Sequence, residues 1–165
     1  MVITFSGVLT GILLVPVLGA IVILLLPKDQ KDAARIIAAV TTGVVLLLAL
    51  GVFFGYDTDA ANAAADAGEV YFAFEDHVQW IESVGIAWHL GVDGIAAPMV
   101  LLTALAGFTG VLISWGIEDR TREFMAFFLL LVAGVFGVFM AVDLFVLFFF
   151  YELAIFPMYF LIVIW

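Results

Sequence analysis

The chain has 165 residues, of which 67% are hydrophobic and 12% charged, and its formal net charge is −10. A soluble domain carries about twice that share of charged residues, so one water-soluble core would leave too much apolar surface exposed. The sequence contains no cysteine, which excludes disulfides, thiolate nucleophiles and cysteine-held metal clusters, and its acidity argues against nucleic acid as a partner.

Five apolar runs are long enough to cross a bilayer, because about 20 helical residues span the ~30 Å hydrocarbon core. The predicted spans cover about residues 2–26, 36–54, 95–117, 124–142 and 144–165. Backbone groups in lipid must be satisfied within the segment, so each run should be a helix. Strands of a membrane barrel would alternate polar and apolar residues, which these runs do not. The sequence therefore predicts an all-α membrane protein with about five transmembrane helices.

The basic residues predict how the chain is oriented in the membrane. All of them lie in the two short loops after the first and third spans. They are Lys28, Lys31 and Arg35 in the first loop and Arg120 and Arg122 in the second. Because short cytoplasmic loops carry an excess of lysine and arginine, both loops are predicted to be cytoplasmic. The N-terminus and the long segment 55–93 are then predicted to lie outside.

The external segment, residues 55–93, contains eight acidic residues and no basic one. Its first part, residues 57–68, is rich in alanine and aspartate and is predicted to be a flexible surface loop. Residues 70–74 and 84–90 are predicted to be short strands, and the second of them alternates apolar and polar side chains. We therefore expect a small hairpin-like cap between the second and third spanning helices, with residues 78–81 at the membrane interface.

Glu152 is the one ionisable side chain that falls well inside a predicted span. If the fifth helix begins near Leu144, Glu152 lies about 12 Å along it, near the middle of the bilayer. A charge at that depth costs about 2.5 to 3.5 kcal/mol on insertion scales, so such residues usually face protein or water and mark an ion or proton path. The alternative is a protonated glutamic acid that makes one interhelical hydrogen bond.

Four further residues are candidates for secondary roles in the same path. Pro157 removes a helical hydrogen bond near Glu152, which either loosens the turn and admits water or only kinks the helix. Asp143 precedes the fifth helix, where capping the helix competes with a functional role. Glu123 opens the fourth helix, where a carboxylate suits the helix dipole. His89 lies on the polar face of a predicted strand, where a structural role competes with proton transfer.

Two groups of residues carry a family resemblance. The first comprises 80–81, 88–95 (WHLGVDGI), 101–103 (LLT) and 114–115 (SW). The second comprises 137–139, 141–145, 148–153 (FFFYEL) and 157–162 (PMYFLI). Together they resemble subunit M of bacterial complex I, or mitochondrial subunit 4, an antiporter-like subunit of NADH:quinone oxidoreductase. The motif at 157–162 favours subunit M over subunit L and over the cation/proton antiporter subunits.

The resemblance implies a proton-translocating subunit that couples quinone reduction to proton pumping and has no catalytic centre of its own. Glu152 would be the fifth-helix glutamate that pairs with a lysine on a seventh helix, and no lysine follows Glu152 in this chain. NADH or another electron donor, FMN, iron–sulfur clusters and quinone are expected on partner subunits of the membrane arm and redox arm. We expect a multi-pass protein of the cell inner or plasma membrane, corresponding to the N-terminal part of a longer subunit.

Two other functions remain open from the residues alone. The chain could belong to a multi-subunit Na⁺/H⁺ antiporter without a redox partner, and the proteins that copurify with it would distinguish this case. It could also be a structural membrane anchor in which Glu152 only bonds a neighbouring helix. A change in the protonation of Glu152 during turnover would separate the first two functions from the third.

Overall fold

The computed structural model of the chain describes residues 4–81 and 85–165. Six α-helices and three β-strands make up this part of the chain. The helices are α1 Val8–Leu25, α2 Lys31–Phe54, α3 Thr58–Ala67, α4 Ala96–Ile113, α5 Thr121–Met140 and α6 Leu144–Ile164, and a 3₁₀ turn at Ser114–Gly116 extends α4. The strands are β1 Thr4–Phe5, β2 Ala73–Ile81 and β3 Ile86–Val92.

Five of these helices are long and apolar enough to cross a membrane, which confirms the predicted helical membrane fold. They are α1, α2, α4 with its 3₁₀ turn, α5 and α6. The first helix begins at Val8, later than the predicted start near residue 2. Gly7 has a left-handed φ of 74°, which breaks the helix, and Thr4–Phe5 pairs with β2 instead. Hydropathy alone does not show this break.

The strands form one antiparallel sheet in the order β1-β2-β3, so the predicted hairpin between the second and third spanning helices is present. Its first strand was predicted in the wrong place, since β2 covers residues 73–81 rather than 70–74. Residues 78–81, predicted to lie between the strands, belong to β2. The second predicted strand agrees with β3 over residues 86–90, and its residue 84 lies outside the described residues.

The prediction of a flexible loop at residues 57–68 was wrong, because most of this segment forms helix α3. Alanine has the highest helix propensity, and the Asp57 side chain caps the helix by accepting from the backbone amides of Asp59 and Ala60, both at 3.0 Å. Gly68 ends the helix in the left-handed conformation at φ 75°. No residue of α3 is buried, so local propensity and capping stabilise it rather than packing.

The sheet closes one end of the helical bundle, which we call the sheet end. All the basic residues lie at the opposite end, in the loops after α1 and α4 and at the start of α2 and α5, and we call it the basic-loop end. There Arg35 Nη2 donates to the carbonyl of Ile117 at 3.1 Å, and Arg122 Nη1 donates to the carbonyl of Leu26 at 2.8 Å. The guanidinium groups thereby satisfy carbonyls that the ends of α1 and α4 leave without a helical donor.

Two apolar clusters fill the bundle between its ends. Leu9, Val45 and Phe136 belong to the cluster nearer the sheet, and Ile23 and Leu129 belong to the cluster nearer the basic loops. Helix α5 lies at the centre and has half of its spanning window buried, whereas α6 has only 11% of its window buried. Helix α6 therefore packs on α5 and leaves most of its circumference uncovered by the described residues.

Candidate functional site

Contact with α5 fixes the rotation of α6 about its own axis. A Cβ atom added at Gly137 would lie 2.1 Å from Cγ of Phe150, and one added at Gly134 would lie 2.8 Å from Cα of Ala154. Small residues let membrane helices approach this closely. Phe150 is 1% exposed, and Pro157 is buried on the same side of α6. The glycines of α5 therefore determine which residues of α6 turn away from the bundle.

Glu152 is on the uncovered side of α6. It follows Phe150 by two residues, which turns it about 200° around the helix, and its side chain is exposed. Its distance from Leu144 corresponds to about 12 Å along a helix of about 31 Å. Within residues 4–81 and 85–165, no hydrogen bond or ion pair includes Glu152. Its carboxyl group therefore lies near mid-span and points away from the other four spanning helices.

Asp143 caps α6 and attaches it to the sheet. Its Oδ1 accepts from the backbone amides of Phe145 at 2.8 Å and Val146 at 3.2 Å. Its Oδ2 is 3.5 Å from the backbone amide of Ala87 in β3. Asp143 therefore has a structural role in holding the start of α6, and it lies on the opposite side of the helix from Glu152.

His89 lies at the sheet end, close to the start of α6. Its Nε2 is 2.5 Å from Oε1 of Glu75, and its ring centroid is 4.7 Å from that of His77 in the paired strand. The carbonyl of His89 accepts from the backbone amide of Val142 at 3.0 Å, immediately before the cap of α6. His89 was predicted as a candidate from the sequence, but its partner Glu75 was not.

Pro157 and Glu123 lie toward the basic-loop end. Helix α6 continues through Pro157, and the proline ring is buried about 140° around the helix from Glu152. Glu123 accepts from Arg122 Nη2 at 2.8 Å in the first turn of α5. The structure therefore brings His89 and Asp143 together at the sheet end, but it places none of the four secondary candidates beside Glu152. A direct role for them in proton transfer stays a prediction.

Sequence analysis did not single out Asp76, which is 0% exposed. Its Oδ1 accepts from Ser6 Oγ at 3.0 Å and from the Gly7 amide at 2.8 Å. Its Oδ2 accepts from the amide and the hydroxyl of Thr10, at 3.0 and 2.7 Å. Burial by itself raises the pKa of this carboxyl, but the four hydrogen bonds outweigh it and hold the pKa below its ordinary value of 3.8.

Asp76 caps α1 from a strand far along the chain. The separation between Thr10 and Asp76 is 66 residues, so no local capping pattern indicates this contact. The signal that the sequence does contain is the pair of hydroxyl residues, Ser6 and Thr10, around the start of α1. The described residues contain no cluster of three or more histidine, aspartate or glutamate side chains that could hold a metal ion.

Comparison with known proteins identifies relatives over nearly the whole chain, although no protein-family model matches it. NADH-quinone oxidoreductase subunit M of Pseudomonas aeruginosa is 38% identical over 159 residues, which cover 96% of this chain and 31% of that protein. Subunit M of Escherichia coli K12 is 35% identical over 160 residues, covering 95% and 30%. The chloroplastic NAD(P)H-quinone oxidoreductase chain 4 of Chara vulgaris is 35% identical over 159 residues, also covering 95% and 30%.

A solved structure gives the same result for the fold. A chain of respiratory complex I from Thermus thermophilus, solved with bound NADH, superposes with a TM-score of 0.71 at 28% identity. The match covers 91% of the present chain and 27% of that one. The chain thus spans less than a third of the length of these relatives. Sequence and structure together show a multi-pass membrane protein that is similar, over less than a third of their length, to the NADH-quinone oxidoreductase subunit M and chain 4 proteins.

Proposed function

We propose that the chain is part of a proton-translocating, antiporter-like subunit of an NADH:quinone-type oxidoreductase, in which Glu152 gains and loses a proton during turnover. The position of Glu152 is the observation that carries this proposal. Its carboxyl group lies near mid-span on α6, faces away from the bundle and has no hydrogen bond or ion pair within the described residues. Ionisable side chains inside a bilayer are costly and usually belong to an ion or proton path.

A carboxyl group at this depth needs a polar neighbour, because lipid offers no hydrogen bonds. The uncovered side of α6 leaves space for one. The family resemblance implies that this neighbour is a lysine on a later helix, outside the present chain. A carboxylate and an ammonium group in contact titrate as a coupled pair, so a charge change at one alters the proton affinity of the other. Such a pair converts a conformational or charge signal into proton movement.

The redox chemistry is assigned to other subunits in this proposal. NADH or another electron donor, FMN, iron–sulfur clusters and quinone would be bound by partner subunits of the membrane and redox arms. The names of the relatives support a quinone-linked assembly rather than a separate Na⁺/H⁺ antiporter. Their greater length supports a further proposal, that the chain corresponds to the N-terminal part of a longer subunit.

The proposed location is the inner or plasma membrane of the cell, with the sheet end and the N-terminus outside. All basic residues meet at the opposite end, which the positive-inside rule assigns to the cytoplasm. The sheet end carries the acidic segment, with Asp76 and Glu75 in β2. Labelling of a cysteine introduced at the exposed residue Asp66, with a membrane-impermeant reagent on intact cells, tests this orientation. Labelling only after the cells are opened would contradict it.

The function is tested by Glu152→Gln, which keeps the size of the side chain and removes its ability to ionise. We expect fewer protons to be translocated per electron, with assembly and electron transfer to quinone retained in the uncoupled complex. Protons and electrons are measured in the same vesicles, with a pH-sensitive dye and by quinone reduction. Glu118→Gln, the same change in an exposed loop, serves as the matched control. An unchanged proton-to-electron ratio in Glu152→Gln would contradict the proposed role.

A further inference from the structure

Tyr159 shares the uncovered side of α6 with Glu152. Seven residues separate them, which is nearly two helical turns, so their side chains differ by about 20° around the axis and about 10.5 Å along it. The Tyr159 side chain is 61% exposed. Within the described residues its hydroxyl makes no hydrogen bond. Helix α6 therefore presents two polar groups in one line, both without partners in this part of the chain.

A phenol hydroxyl inside the hydrocarbon region usually has a hydrogen-bond partner, although its burial costs less than that of a carboxyl group. Between Glu152 and Trp165, Tyr159 is the only residue whose side chain carries a hydrogen-bond donor. Its neighbours on the same side of α6, Ile155 and Phe156, are apolar and exposed. Whatever covers this side must therefore supply polar groups or water at two depths, next to Glu152 and next to Tyr159.

The line from Glu152 through Tyr159 leads to the basic-loop end. Trp165 Nε1 donates to the carbonyl of Asp119 at 2.8 Å, which attaches the end of α6 to the second basic loop. Tyr159 lies about 10.5 Å from Glu152 and about 9 Å from Trp165 along the helix, so it divides this distance almost equally. Each of the two gaps is too long for a direct hydrogen bond and corresponds to the length of about three water molecules at ~2.8 Å spacing.

We propose that the Tyr159 hydroxyl is a positioning group on the route by which protons pass between the basic-loop end and Glu152. This inference rests on the proposed function of Glu152. A phenol hydroxyl both donates and accepts hydrogen bonds, so it can join a chain of water molecules whose hydrogen bonds all point toward Glu152 or all point away from it. The phenylalanine side chain has the same ring without this ability, and it leaves the two halves of the water chain unconnected.

The test uses Tyr159→Phe in the complete assembly isolated from native membranes and reconstituted into vesicles. Tyr151→Phe is the matched control, because Tyr151 is 54% exposed on the same helix but is turned about 100° from Glu152. Loss of one hydrogen bond of about 1 kcal/mol corresponds to a fivefold slower step. We therefore expect Tyr159→Phe to translocate protons about fivefold more slowly, with uncoupled quinone reduction unchanged, and Tyr151→Phe to behave as the wild type.

The pH dependence separates a proton route from a packing effect. If Tyr159 supports proton delivery, the defect of Tyr159→Phe grows as the pH at the basic-loop end rises, because the concentration of protons that can enter falls. A defect that is constant with pH, or equal in Tyr159→Phe and Tyr151→Phe, would overturn the inference. Glu152→Gln is measured in parallel. A normal proton-to-electron ratio in Glu152→Gln overturns the proposed function itself. A low ratio in Glu152→Gln together with normal proton translocation in Tyr159→Phe overturns only the role of Tyr159.

Discussion

The buried carboxylate of Asp76 gives the sharpest test of how the sheet and α1 stabilise each other. In Asp76→Asn one oxygen remains and can still accept from Ser6 and from the Gly7 amide. The new amide nitrogen replaces Oδ2 and faces the Thr10 amide, so two donors oppose each other. Oδ2 also accepts from the Thr10 hydroxyl, which can rotate to accept from the new NH₂ group instead. The variant therefore loses one hydrogen bond, leaves one buried donor unsatisfied and removes the charge.

The expected loss of local stability follows from these contacts. A hydrogen bond to a charged group contributes about 1.5 to 3 kcal/mol, and a negative charge at a helix N-terminus contributes about 0.3 to 1 kcal/mol, more when it is partly buried. We expect Asp76→Asn to lower the free energy of opening of the first turn of α1 by about 2 to 4 kcal/mol. This corresponds to exchange of the Thr10 amide at least about 30-fold faster than in the wild type.

Hydrogen–deuterium exchange in mild detergent measures this effect on a peptide that covers residues 6–12. Asp143→Asn is the control, since Asp143 caps α6 in the same way and, among the described residues, its carboxylate accepts from residues 87, 145 and 146 and from none in α1. Its effect is expected at residues 144–147 and not at residues 6–12. If Asp76→Asn changes exchange of the Thr10 amide by less than about threefold, less than the ~1 kcal/mol of a single neutral hydrogen bond, the carboxylate does not hold the start of α1 and the reasoning fails.

The lowered pKa of Asp76 also predicts how low pH changes the stability of the first turn of α1. A carboxyl group whose pKa is lower in the folded state stabilises that state fully above its ordinary value of 3.8. This stabilisation is lost as the pH falls below 3.8 and through the lower pKa of the folded protein. The first turn of α1 should therefore exchange faster below about pH 4 in the wild type. The same acidification should have little effect on Asp76→Asn.

Two further substitutions test the helix contacts. Gly137→Ala should displace α6 and lower the free energy of unfolding by about 1 to 3 kcal/mol, because the new Cβ would lie 2.1 Å from Phe150 Cγ. Gly51→Ala should be tolerated, because no atom lies within 4 Å of its new Cβ. Equal thermal stability of the two variants in detergent would contradict this prediction. Arg122→Lys should lose the hydrogen bond to the Leu26 carbonyl and destabilise the end of α1 by about 1 kcal/mol. Unchanged hydrogen–deuterium exchange at that end of α1 would show that lysine replaces the contact.

The membrane helices could be predicted from the sequence because one physical quantity, the length of an apolar run, decides them. The same reasoning placed Glu152 at mid-span. It did not give the direction in which Glu152 points, which depends on the contact of Gly137 with Phe150 in a neighbouring helix. The sequence shows that Gly134 and Gly137 are present in α5, but it does not show which turn of α6 lies against them.

Residues 55–93 were predicted less well, since their structure depends on pairs of residues rather than on apolar runs. In β2 the acidic residues Glu75 and Asp76 break the apolar pattern of a strand, and each is satisfied by a distant partner, His89 or the start of α1. Segment 57–68 was predicted to be flexible because of its composition, but alanine content, an aspartate cap and a terminal glycine were sufficient signals for a helix. In this segment the capping residues at its two ends indicate the structure better than its overall composition does.

The capping of α1 by Asp76 also determines when the start of this helix can be completed. A nascent chain emerges from its N-terminus, so the first turn of α1 is made long before residue 76 is synthesised. Until residue 76 has been synthesised, the amides of Gly7 and Thr10 lack this carboxylate acceptor. The capped form of α1 therefore cannot be complete before β2 is synthesised, so Asp76 links the start of the first apolar helix to a segment that follows the second.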